Sequence, residues 1–444
     1  MNLKKLAFGA KARTVRRGAG AFYSALLRNQ HLPPAELAAL EADRAMRILS
    51  FAMEHTEFYR PHYAAHGIKP EDLSSIESWS KIPILDRATT RENSASMHST
   101  EALARNMRDA QTGGSTGEPL RTKHDARVPT LALSWRMYGW WEVNPWDNVA
   151  RIGRWGFGRF DALKNSFAWW PTKQAYLDAG LFDAQSMKTF YKQIVRNRPA
   201  LLEGYVGSML EFADFLESSG RTIPTPVAVA TTAAPLTSSV RIRLQEVFGA
   251  PVYDDYRGSE FGWMAGECRT QSGLHIFSDT RKVEVVDPDD RPLPPGEVGD
   301  IVITDLTNRV FPLIRYRLGD RGALSTDHCS CGISLPLMAT PDGRQTDLLR
   351  LPSGKVLGHR LMGMFGAHPE AVRLFQIYQR SDYSIVVRVV IGDSTDAKTH
   401  VDRAVSDLRV RIDNEVPVTI EYVESLPYTR GKIKYVLSDV AVGD

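Results

Sequence analysis

The sequence predicts an α/β fold with a large N-terminal part and a smaller C-terminal part. Residues 227–236 form a β-rich run that ends in small residues and a proline, and residues 201–216 place a glycine turn at Gly204 and Gly207 before a helical apolar pattern. Repetition of strand, small-residue turn and helix is typical of a layered α/β domain. Beyond residue 346, the apolar periodicity predicts a small α+β unit.

The elements predicted for this C-terminal unit can be placed from their apolar periodicity. In chain order they are a strand at 374–378, a strand at 385–391, a helix through 401–412 and a strand at 418–423.

Length and composition restrict the class of protein. At 444 residues, a prior of roughly 150 residues per domain predicts two or three domains. With 43% hydrophobic and 24% charged residues and a formal net charge of +3, the chain has the composition of a soluble globular protein and no sign of a nucleic-acid partner. No apolar run approaches the ~20 residues of a transmembrane segment, and no secretory core is present. The three cysteines fit a reducing compartment, so a cytoplasmic protein is expected.

The N-terminal segment is basic. Its first 21 residues contain lysines and arginines and no acidic residue. Such an arm can contact anionic lipid or RNA, but the thin apolar stripe between the charges favours a solvated helix. Pro33 and Pro34 then mark the start of a packing helix that runs to about His55, and residues 81–87 predict a short extended connector.

Residues 111–120, QTGGSTGEPL, combine three glycines with three hydroxyl side chains. The glycines let backbone N–H groups face an anion, and the hydroxyls donate to phosphate oxygens. The predicted phosphate ligands are Thr112, Gly113, Gly114, Ser115, Thr116 and Gly117. The segment has neither the Walker nor the dinucleotide-fold glycine pattern, and taken alone a glycine-rich segment is more often an ordinary loop or linker than a nucleotide site.

Seven of the nine tryptophans lie between Trp135 and Trp170, with glycines among them. Most aromatic side chains pack in a core, which is the simpler interpretation for any one of them. Aromatic clusters beside glycines also build apolar pockets, and this one suits a hydrophobic or aromatic ligand. The candidate pocket residues are Trp135, Tyr138, Trp141, Tyr205 and Gly258. The TTAAPL turn at 231–236 follows a predicted strand, and α/β sheets bind ligands at the carboxyl ends of strands.

Three further segments carry aromatic, carboxylate and cationic side chains: YDDYRGSEFG at 253–262, FPLIRYRLGD at 311–320 and YTRGKIKYV at 428–436. Together with QTGGSTGEPL and TTAAPL they resemble the adenylate-forming superfamily of acyl-CoA synthetases, and most of all its phenylacetate-CoA ligase and capsule-biosynthesis (CapK-like) branch. The resemblance extends from about residue 80 to the C-terminus. It implies a large multi-layer α/β N-terminal adenylation domain, residues 1–345, and a small mobile α+β C-terminal lid domain, residues 346–444.

The resemblance also implies how individual residues would bind ATP. The glycine loop would hold the β- and γ-phosphates. Ala233, Ala234 and Pro235 would line the adenine, Tyr256 would stack on the adenine ring, and Asp255 beside it would be a further nucleotide contact.

The ribose and the reacting groups would be held by charged residues. Asp320 would accept hydrogen bonds from the ribose hydroxyls, and Arg344 would contact the ribose or the phosphates. Ser259 would lie near the acyl group or the α-phosphate. Glu260 would help to hold Mg²⁺, a cation that prefers carboxylate and phosphate oxygens.

The C-terminal domain would supply the catalytic cation. Lys432 would stabilise the transition state between carboxylate and phosphate, with Lys434 as the near alternative. Asp347 would be the hinge about which the two domains rotate.

The chain departs from the family pattern at several positions. Arg430 precedes Gly431 and Lys432 where a hydroxyl residue is expected, and Arg257 follows the tyrosine where the family usually has glycine. Glu118 stands where many relatives have lysine, so backbone and hydroxyl donors would hold the phosphates. The segment after Asp347 lacks the arginine–glycine turn that many CoA ligases carry.

All three cysteines lie near the predicted site residues, and His275 follows Cys268 by seven positions. Cys268, His275, Cys329 and Cys331 would form a tetrahedral zinc shell, structural because four protein ligands leave no open position. Some phenylacetate-CoA ligase relatives are similar in carrying such a site. Buried free thiols are the alternative, and His328 could replace His275.

The resemblance implies an AMP-forming acid ligase that works in two steps. A small-molecule carboxylic acid attacks ATP to give an acyl-adenylate and pyrophosphate, and an acceptor then displaces AMP. CoA thiol is the acceptor typical of the family, and an amine is the runner-up because of the altered segment after Asp347. A CapK-like binding or polysaccharide-assembly protein that keeps the fold without adenylation is the alternative from another class. The sequence leaves monomer and homodimer open.

Overall fold

The computed structural model describes residues 3–14, 18–111, 120–153, 169–179, 183–341, 343–344, 349–357, 361, 364–365, 369–427 and 434–440. Its α-helices are α1 Leu3–Thr14, α2 Ala19–Asn29, α3 Pro34–His55, α4 Tyr59–Ala65, α5 Arg87–Glu92, α6 Leu131–Trp140, α7 Ala184–Asn197, α8 Val206–Ser218, α9 Ser238–Phe248 and α10 Ala397–Arg411. Short 3-10 helices are Pro70–Leu73, Ile76–Lys81, Ala104–Asn106 and Pro369–Ala371.

The strands complete an α/β structure and confirm the predicted fold class. They are β1 Met107–Gln111, β2 Arg121–Asp125, β3 Val149–Gly153, β4 Gln174–Asp178, β5 Leu201–Tyr205, β6 Ala228–Thr232, β7 Val252–Gly258, β8 Gly262–Glu267, β9 Leu274–Ile276, β10 Arg281–Val286, β11 Gly299–Asp305, β12 Tyr316–Gly322, β13 Leu337–Met338, β14 Gly343–Arg344, β15 Leu349–Arg350, β16 Val356–Leu357, β17 Val372–Gln379, β18 Ile385–Ile391, β19 Val418–Tyr422 and β20 Val436–Ser438. Within the described ranges, no helix combines the length and the apolar character that crossing a membrane requires.

The chain groups into two compact units. Unit 1 consists of Met1–Lys4, Glu142–Asp254 and Asp342–Asp444, and unit 2 of Lys5–Trp141 and Asp255–Pro341. In unit 1 the C-terminal residues share a core with Glu142–Asp254. The domain boundary expected between residues 345 and 346 stays a prediction.

Unit 1 contains a parallel sheet in the order β4-β3-β5-β6, to which the first half of β7 adds. All residues of β3 and β6 are buried, as expected for parallel strands covered on both faces. Helices α7, α8 and α9 supply apolar side chains to the same core. The run predicted at 227–236 is confirmed as β6 and the turn that follows it.

The glycine turn predicted within 201–216 is wrong. Gly204 lies inside β5 and Gly207 inside α8, which begins immediately after the strand. A Cβ on Gly204 would lie 3.0 Å from both Ile152 Cβ and Met209 Sδ. The glycine is therefore needed for close packing of the strand against its neighbours, and not for a turn.

The C-terminal part of unit 1 forms a four-stranded sheet in the order β19-β18-β17-β20, with α10 packed against it. The predicted strands and helix correspond to β17, β18, α10 and β19 and are confirmed in order and approximate extent. The local sequence was sufficient here because the two central strands are short runs rich in β-branched and aromatic residues, and the helix buries Val401, Val405 and Leu408 on one face.

Unit 2 is built from antiparallel sheets and the N-terminal helices. The second half of β7 pairs with β8, β8 with β9, and β9 with β13. Strands β10, β11 and β12 form a second antiparallel set, and β1 and β2 form a hairpin. The helix predicted from Pro34 to about His55 is confirmed as α3, which buries Leu37, Ala45, Ile48, Leu49, Phe51 and Ala52.

A fully buried ion pair lies within unit 2. Arg136 Nη1 donates to both carboxylate oxygens of Asp279, at 3.0 and 2.9 Å, and both side chains are 0% exposed. Asn29 donates to the same carboxylate at 3.1 Å, and the Arg136 guanidinium lies 4.5 Å from the Phe277 ring centroid. Buried charges of this kind are retained only when they are paired and hydrogen bonded.

We expect Asp279→Asn to lower the free energy of unfolding by about 3–5 kcal/mol, because it leaves the Arg136 charge buried without a counter-charge. Chemical denaturation of the variant and the wild type measures this loss. Asp43→Asn, which removes the partner of the exposed Arg47 in α3, is the matched control and should cost less than about 1 kcal/mol. Equal effects of the two substitutions would contradict a special role for the buried pair.

Candidate active site and metal centre

In unit 1, the predicted adenine turn lies at the carboxyl end of a parallel strand. Residues 233–235 follow β6, whose last residue, Thr232, pairs with Tyr205 at the end of β5. Ala233 is exposed and has φ of +70°, a left-handed conformation that costs a non-glycine residue roughly 1–2 kcal/mol. Backbone strain of this kind concentrates at ligand-binding turns. The predicted contacts Tyr205, Ala233, Ala234 and Pro235 thus share one edge of the sheet.

In unit 2, two predicted nucleotide residues are in direct contact. The Tyr256 hydroxyl of β7 donates to Asp320 Oδ2 of β12 at 2.8 Å, and both residues are half-buried. The hydrogen bond fixes the tyrosine ring and the carboxylate relative to each other. An aromatic face and an ionised acceptor side by side can bind the base and the hydroxyls of a nucleoside.

Glu260 occupies the middle of the turn between β7 and β8. The turn 259–261 is closed by the pair Gly258–Gly262, and Gly262 has φ of +69°, as three-residue hairpin turns require. Ser259 is exposed, whereas Glu260 is only 8% exposed. A Cβ on Gly258 would lie 3.4 Å from Glu260 Oε2, so this glycine leaves room for the carboxylate. The role of Glu260 as a ligand of Mg²⁺ stays a prediction.

The unexpected Arg257 has a local structural role. Its Nε lies 3.1 Å from Asp255 Oδ1, and its guanidinium lies 5.8 Å from the Trp263 ring centroid. The β7–β8 register shifts between Tyr256 and Arg257. Asp255, which the resemblance implied as a nucleotide contact, is therefore a buried partner of Arg257 in unit 2.

Three of the predicted pocket residues are buried in unit 2. Trp135 contacts the Phe8 ring edge-on with centroids 5.1 Å apart. The Tyr138 and Trp141 rings have centroids 5.7 Å apart, and Trp141 Nε1 donates to Glu267 O at 2.8 Å. These contacts fit the simpler interpretation of the tryptophan cluster as core, and the pocket role of Trp135, Tyr138 and Trp141 stays a prediction.

Several predicted site residues lie outside the described part of the chain. They are Thr112, Gly113, Gly114, Ser115, Thr116, Gly117, Asp347 and Lys432. The flanks of the glycine loop are described: β1 and β2 pair antiparallel, and their register ends at the pair Gln111–Arg121. Arg344 lies in the short strand β14, and its side chain is not described.

The four predicted zinc ligands converge in unit 2. Cys268 follows β8, His275 lies in β9, and Cys329 and Cys331 lie in the segment before β13. All four ligand atoms lie within 4.8 Å of one another. The Cys268 and Cys329 sulfurs are 3.5 Å apart, and Cys331 Sγ is 3.3 Å from His275 Nε2. Tetrahedral zinc with bonds of about 2.0–2.3 Å separates its ligand atoms by roughly 3.5–3.8 Å.

The surroundings of the cluster favour metal binding over a disulfide. His275 Nδ1 donates to Leu335 O at 2.9 Å, which leaves the Nε2 lone pair facing Cys331. Ile333 N–H donates to Cys331 Sγ at 3.4 Å, as is common for a thiolate acceptor. Burial, the largest cause, raises the pKa of the Cys331 thiol to about 12. The alternative ligand His328 is exposed.

The structure also identifies residues that the sequence did not single out. His124 of β2 contacts the carbonyl oxygen of Ser259, and Arg281 contacts that of Phe261. Both side chains come from strands remote in sequence from the turn that they contact. The hydrophobic periodicity of a sequence identifies strands and helices but does not reveal side-chain contacts between separate strands and turns.

Comparison with known proteins gives concordant matches. Residues 348–439 match the family model of the CapK C-terminal domain. The chain is 27% identical over 367 residues to a phenylacetate-coenzyme A ligase of Thermus thermophilus, covering 79% of this chain and 80% of the relative. It is 20% identical over 416 residues to Protein CapK of Staphylococcus aureus, covering 91% of this chain and 90% of the relative.

The fold is similar to that of 2-hydroxyisobutyryl-CoA ligase in the postadenylation state in complex with R3-HIB-AMP. The TM-score is 0.73 at 20% identity, covering 93% of this chain and 91% of that chain. The resemblance to the adenylate-forming superfamily, in its phenylacetate-CoA ligase and CapK-like branch, is confirmed by these sequence and fold matches.

Proposed function

We propose that this protein is an ATP-dependent, AMP-forming acid ligase that activates a small carboxylic acid as its acyl-adenylate and transfers the acyl group to the thiol of CoA. The observation that carries the proposal is the hydrogen bond from Tyr256 to Asp320, with Glu260 in the turn at the end of the same strand. The similarity to phenylacetate-CoA ligases over most of the chain supports the same reaction class.

In the first step a carboxylate oxygen of the substrate attacks the α-phosphorus of ATP. The bond to the bridging oxygen breaks, and pyrophosphate leaves with its electron pair. Tyr256 would hold the adenine ring, and the Asp320 carboxylate would accept from the ribose hydroxyls. Glu260 would bind Mg²⁺, which supplies charge neutralisation at the phosphates.

In the second step the acceptor sulfur attacks the acyl carbon, AMP leaves, and the thiol proton is released. Lys432 would act in the first step only, as a cation beside the attacking carboxylate and the α-phosphate. An amine acceptor is the runner-up, on the ground that the segment after Asp347 lacks the arginine–glycine turn. Assays with CoA and with amino acids as acceptors distinguish the two.

A second candidate comes from the match of residues 348–439 to the CapK C-terminal domain and from the relative named CapK. In this alternative the chain retains the adenylation fold as a binding or assembly protein without forming an adenylate. It requires no catalytic lysine, so a chemical assay separates the two candidates.

We also propose that Cys268, His275, Cys329 and Cys331 hold one structural zinc ion. The sulfur and nitrogen ligand set and its spacing fit tetrahedral zinc, and the four ligands leave no position for a substrate. The ion would bind strand β9, the end of β8 and the segment before β13 to one another.

We expect Lys432→Ala to lower acid-dependent pyrophosphate release about 10²–10³-fold, the usual effect of removing one group that stabilises a transition-state charge. Release is measured with a panel of aryl and alkyl acids, since the acid is not specified by the sequence. Lys434→Ala tests the alternative cation, and Lys398→Ala, which removes an exposed lysine of α10, is the matched control and should retain the wild-type rate.

Unchanged release by Lys432→Ala contradicts the catalytic role of this lysine. Absence of release from the wild-type protein with every acid contradicts the ligase and favours the binding protein.

We expect Tyr256→Phe to weaken AMP binding by about threefold to tenfold, because it removes the hydroxyl that orients the Asp320 carboxylate and keeps the ring. Asp320→Asn should weaken it about tenfold or more, because bonds to an ionised carboxylate are stronger. Calorimetric titration with AMP measures both. Tyr378→Phe removes a similar hydroxyl-to-carboxylate bond, to Asp439, in the C-terminal part of unit 1 and should leave binding unchanged.

We expect about one zinc ion per purified chain by elemental analysis, and its loss from Cys329→Ser. Removal of the ion should lower the thermal midpoint, because the energy of metal binding contributes to folding. His328→Ala is the control and should keep its zinc, since His328 is exposed. The zinc proposal is contradicted if the purified protein contains no zinc and all three thiols react with a thiol reagent in the folded state.

A further inference from the structure

The turn that carries Glu260 is held from outside by two side chains of unit 2. His124 Nε2 donates to the carbonyl oxygen of Ser259 at 2.8 Å, and Arg281 Nη2 donates to that of Phe261 at 2.6 Å. These are the residues immediately before and after Glu260. The Ser259–Glu260 peptide group and the Phe261–Gly262 peptide group are therefore each held by a donor that lies outside the hairpin.

The two hydrogen bonds differ in what they satisfy. Phe261 is fully buried, so its carbonyl oxygen needs a protein donor, and Arg281 supplies it. Ser259 is exposed, so water could solvate its carbonyl oxygen without help from His124. The hydrogen bond from His124 is therefore not needed to satisfy a buried carbonyl group. Its effect is to restrict the position of the turn.

The strand that carries His124 is itself anchored. Asn308 donates from Nδ2 to Lys123 O at 2.8 Å, and its Oδ1 accepts from the backbone N–H groups of Val310 and Phe311 at 3.2 Å each. Asn308 is 3% exposed. These hydrogen bonds fix the backbone of β2 next to His124. The position of the imidazole relative to Ser259 is therefore fixed as well.

We propose that His124 is a positioning residue for the adenylation reaction, holding the Ser259 carbonyl so that the Glu260 carboxylate keeps the orientation in which it binds the Mg²⁺ of the nucleotide complex. The proposal rests on the proposed function. In this proposal β2, the strand that directly follows the glycine loop in sequence, contacts the site through His124. Preorganised ligands of this kind need a supporting shell with fixed geometry.

The charge state of His124 suits this role. Burial, the largest influence, lowers the pKa of the imidazole; Asp305 raises it, and Arg108 lowers it. A neutral His124 ring can donate from Nε2–H to Ser259 O. It adds no positive charge close to the Glu260 turn, where the carboxylate would bind Mg²⁺.

The test compares His124→Leu, His124→Asn and His124→Gln in acid-dependent exchange of pyrophosphate into ATP, with Mg²⁺ titrated. Leucine removes the donor, asparagine is too short to reach Ser259, and glutamine carries an N–H at about the distance of imidazole Nε2. We expect the first two variants to raise the half-saturating Mg²⁺ concentration roughly tenfold or more, the usual effect of losing a second-sphere partner. Glutamine should restore most of the loss, and KM for the acid should stay unchanged.

His66→Leu is the matched control, because His66 Nδ1 also contacts a backbone carbonyl at 2.8 Å, that of His62 within its own helix. Thermal midpoints identify any variant that has lost its fold. Among folded variants, the difference in half-saturating Mg²⁺ concentration between His124→Asn and His124→Gln decides whether the N–H donor is required. Mg²⁺ saturation equal to wild type in His124→Leu and His124→Asn, with exchange intact, overturns the positioning role and leaves the proposed function standing. Absence of exchange in the wild-type protein overturns both.

Discussion

A buried ion pair between Arg281 and Asp305 is the interaction on which the candidate site in unit 2 depends. The two residues are directly paired across β10 and β11, and Arg281 Nη1 lies 2.8 Å from Asp305 Oδ1. The same guanidinium holds the Phe261 carbonyl, and the same carboxylate oxygen accepts from the backbone and the hydroxyl of Thr307. One pair of charges thereby orders both the Glu260 turn and the loop that leads to Asn308. A buried ion pair adds little net stability, because removing both charges from water costs much of what their attraction gains. The role of the Arg281–Asp305 pair is to hold the Glu260 turn and the loop before Asn308 in one arrangement.

The sequence predicted the elements whose signals are local. Strand β18 follows from a run of β-branched residues, and helices α3 and α10 follow from an apolar stripe and, for α3, a proline start signal, all of which lie within the element itself. The glycine turn in 201–216 was predicted wrongly because the same local signal has two causes. Glycine permits a turn, and it also permits close packing, and the contact of Gly204 with Ile152 belongs to a neighbouring strand that local sequence does not reveal.

Residues of the candidate site were predictable where they belong to a motif and not where they act through tertiary contacts. Tyr256, Glu260 and Asp320 were found from their segments, and the Tyr256–Asp320 hydrogen bond joins residues 64 positions apart. The cysteines and His275 were found because so few cysteines occur in the chain. His124 and Asn308 have no distinctive neighbours in sequence, and only the fold brings His124 to the turn and Asn308 to the strand that carries His124.

Contacts along one face of β7 accommodate an arginine where glycine is usual. Side chains two positions apart in a strand lie on the same face, so Arg257 reaches Asp255 of its own strand. The Arg257 guanidinium also lies beside the ring of Trp263, its partner in β8. Tyr256 lies between Asp255 and Arg257 in the strand, so its side chain leaves the opposite face, and its hydroxyl donates to Asp320. The register shift between Tyr256 and Arg257 belongs to β8, where the extra residue Met264 is buried in the core of unit 2. Because the bulge lies in the partner strand, β7 keeps its alternation, and the arginine and the tyrosine of the motif act on separate faces.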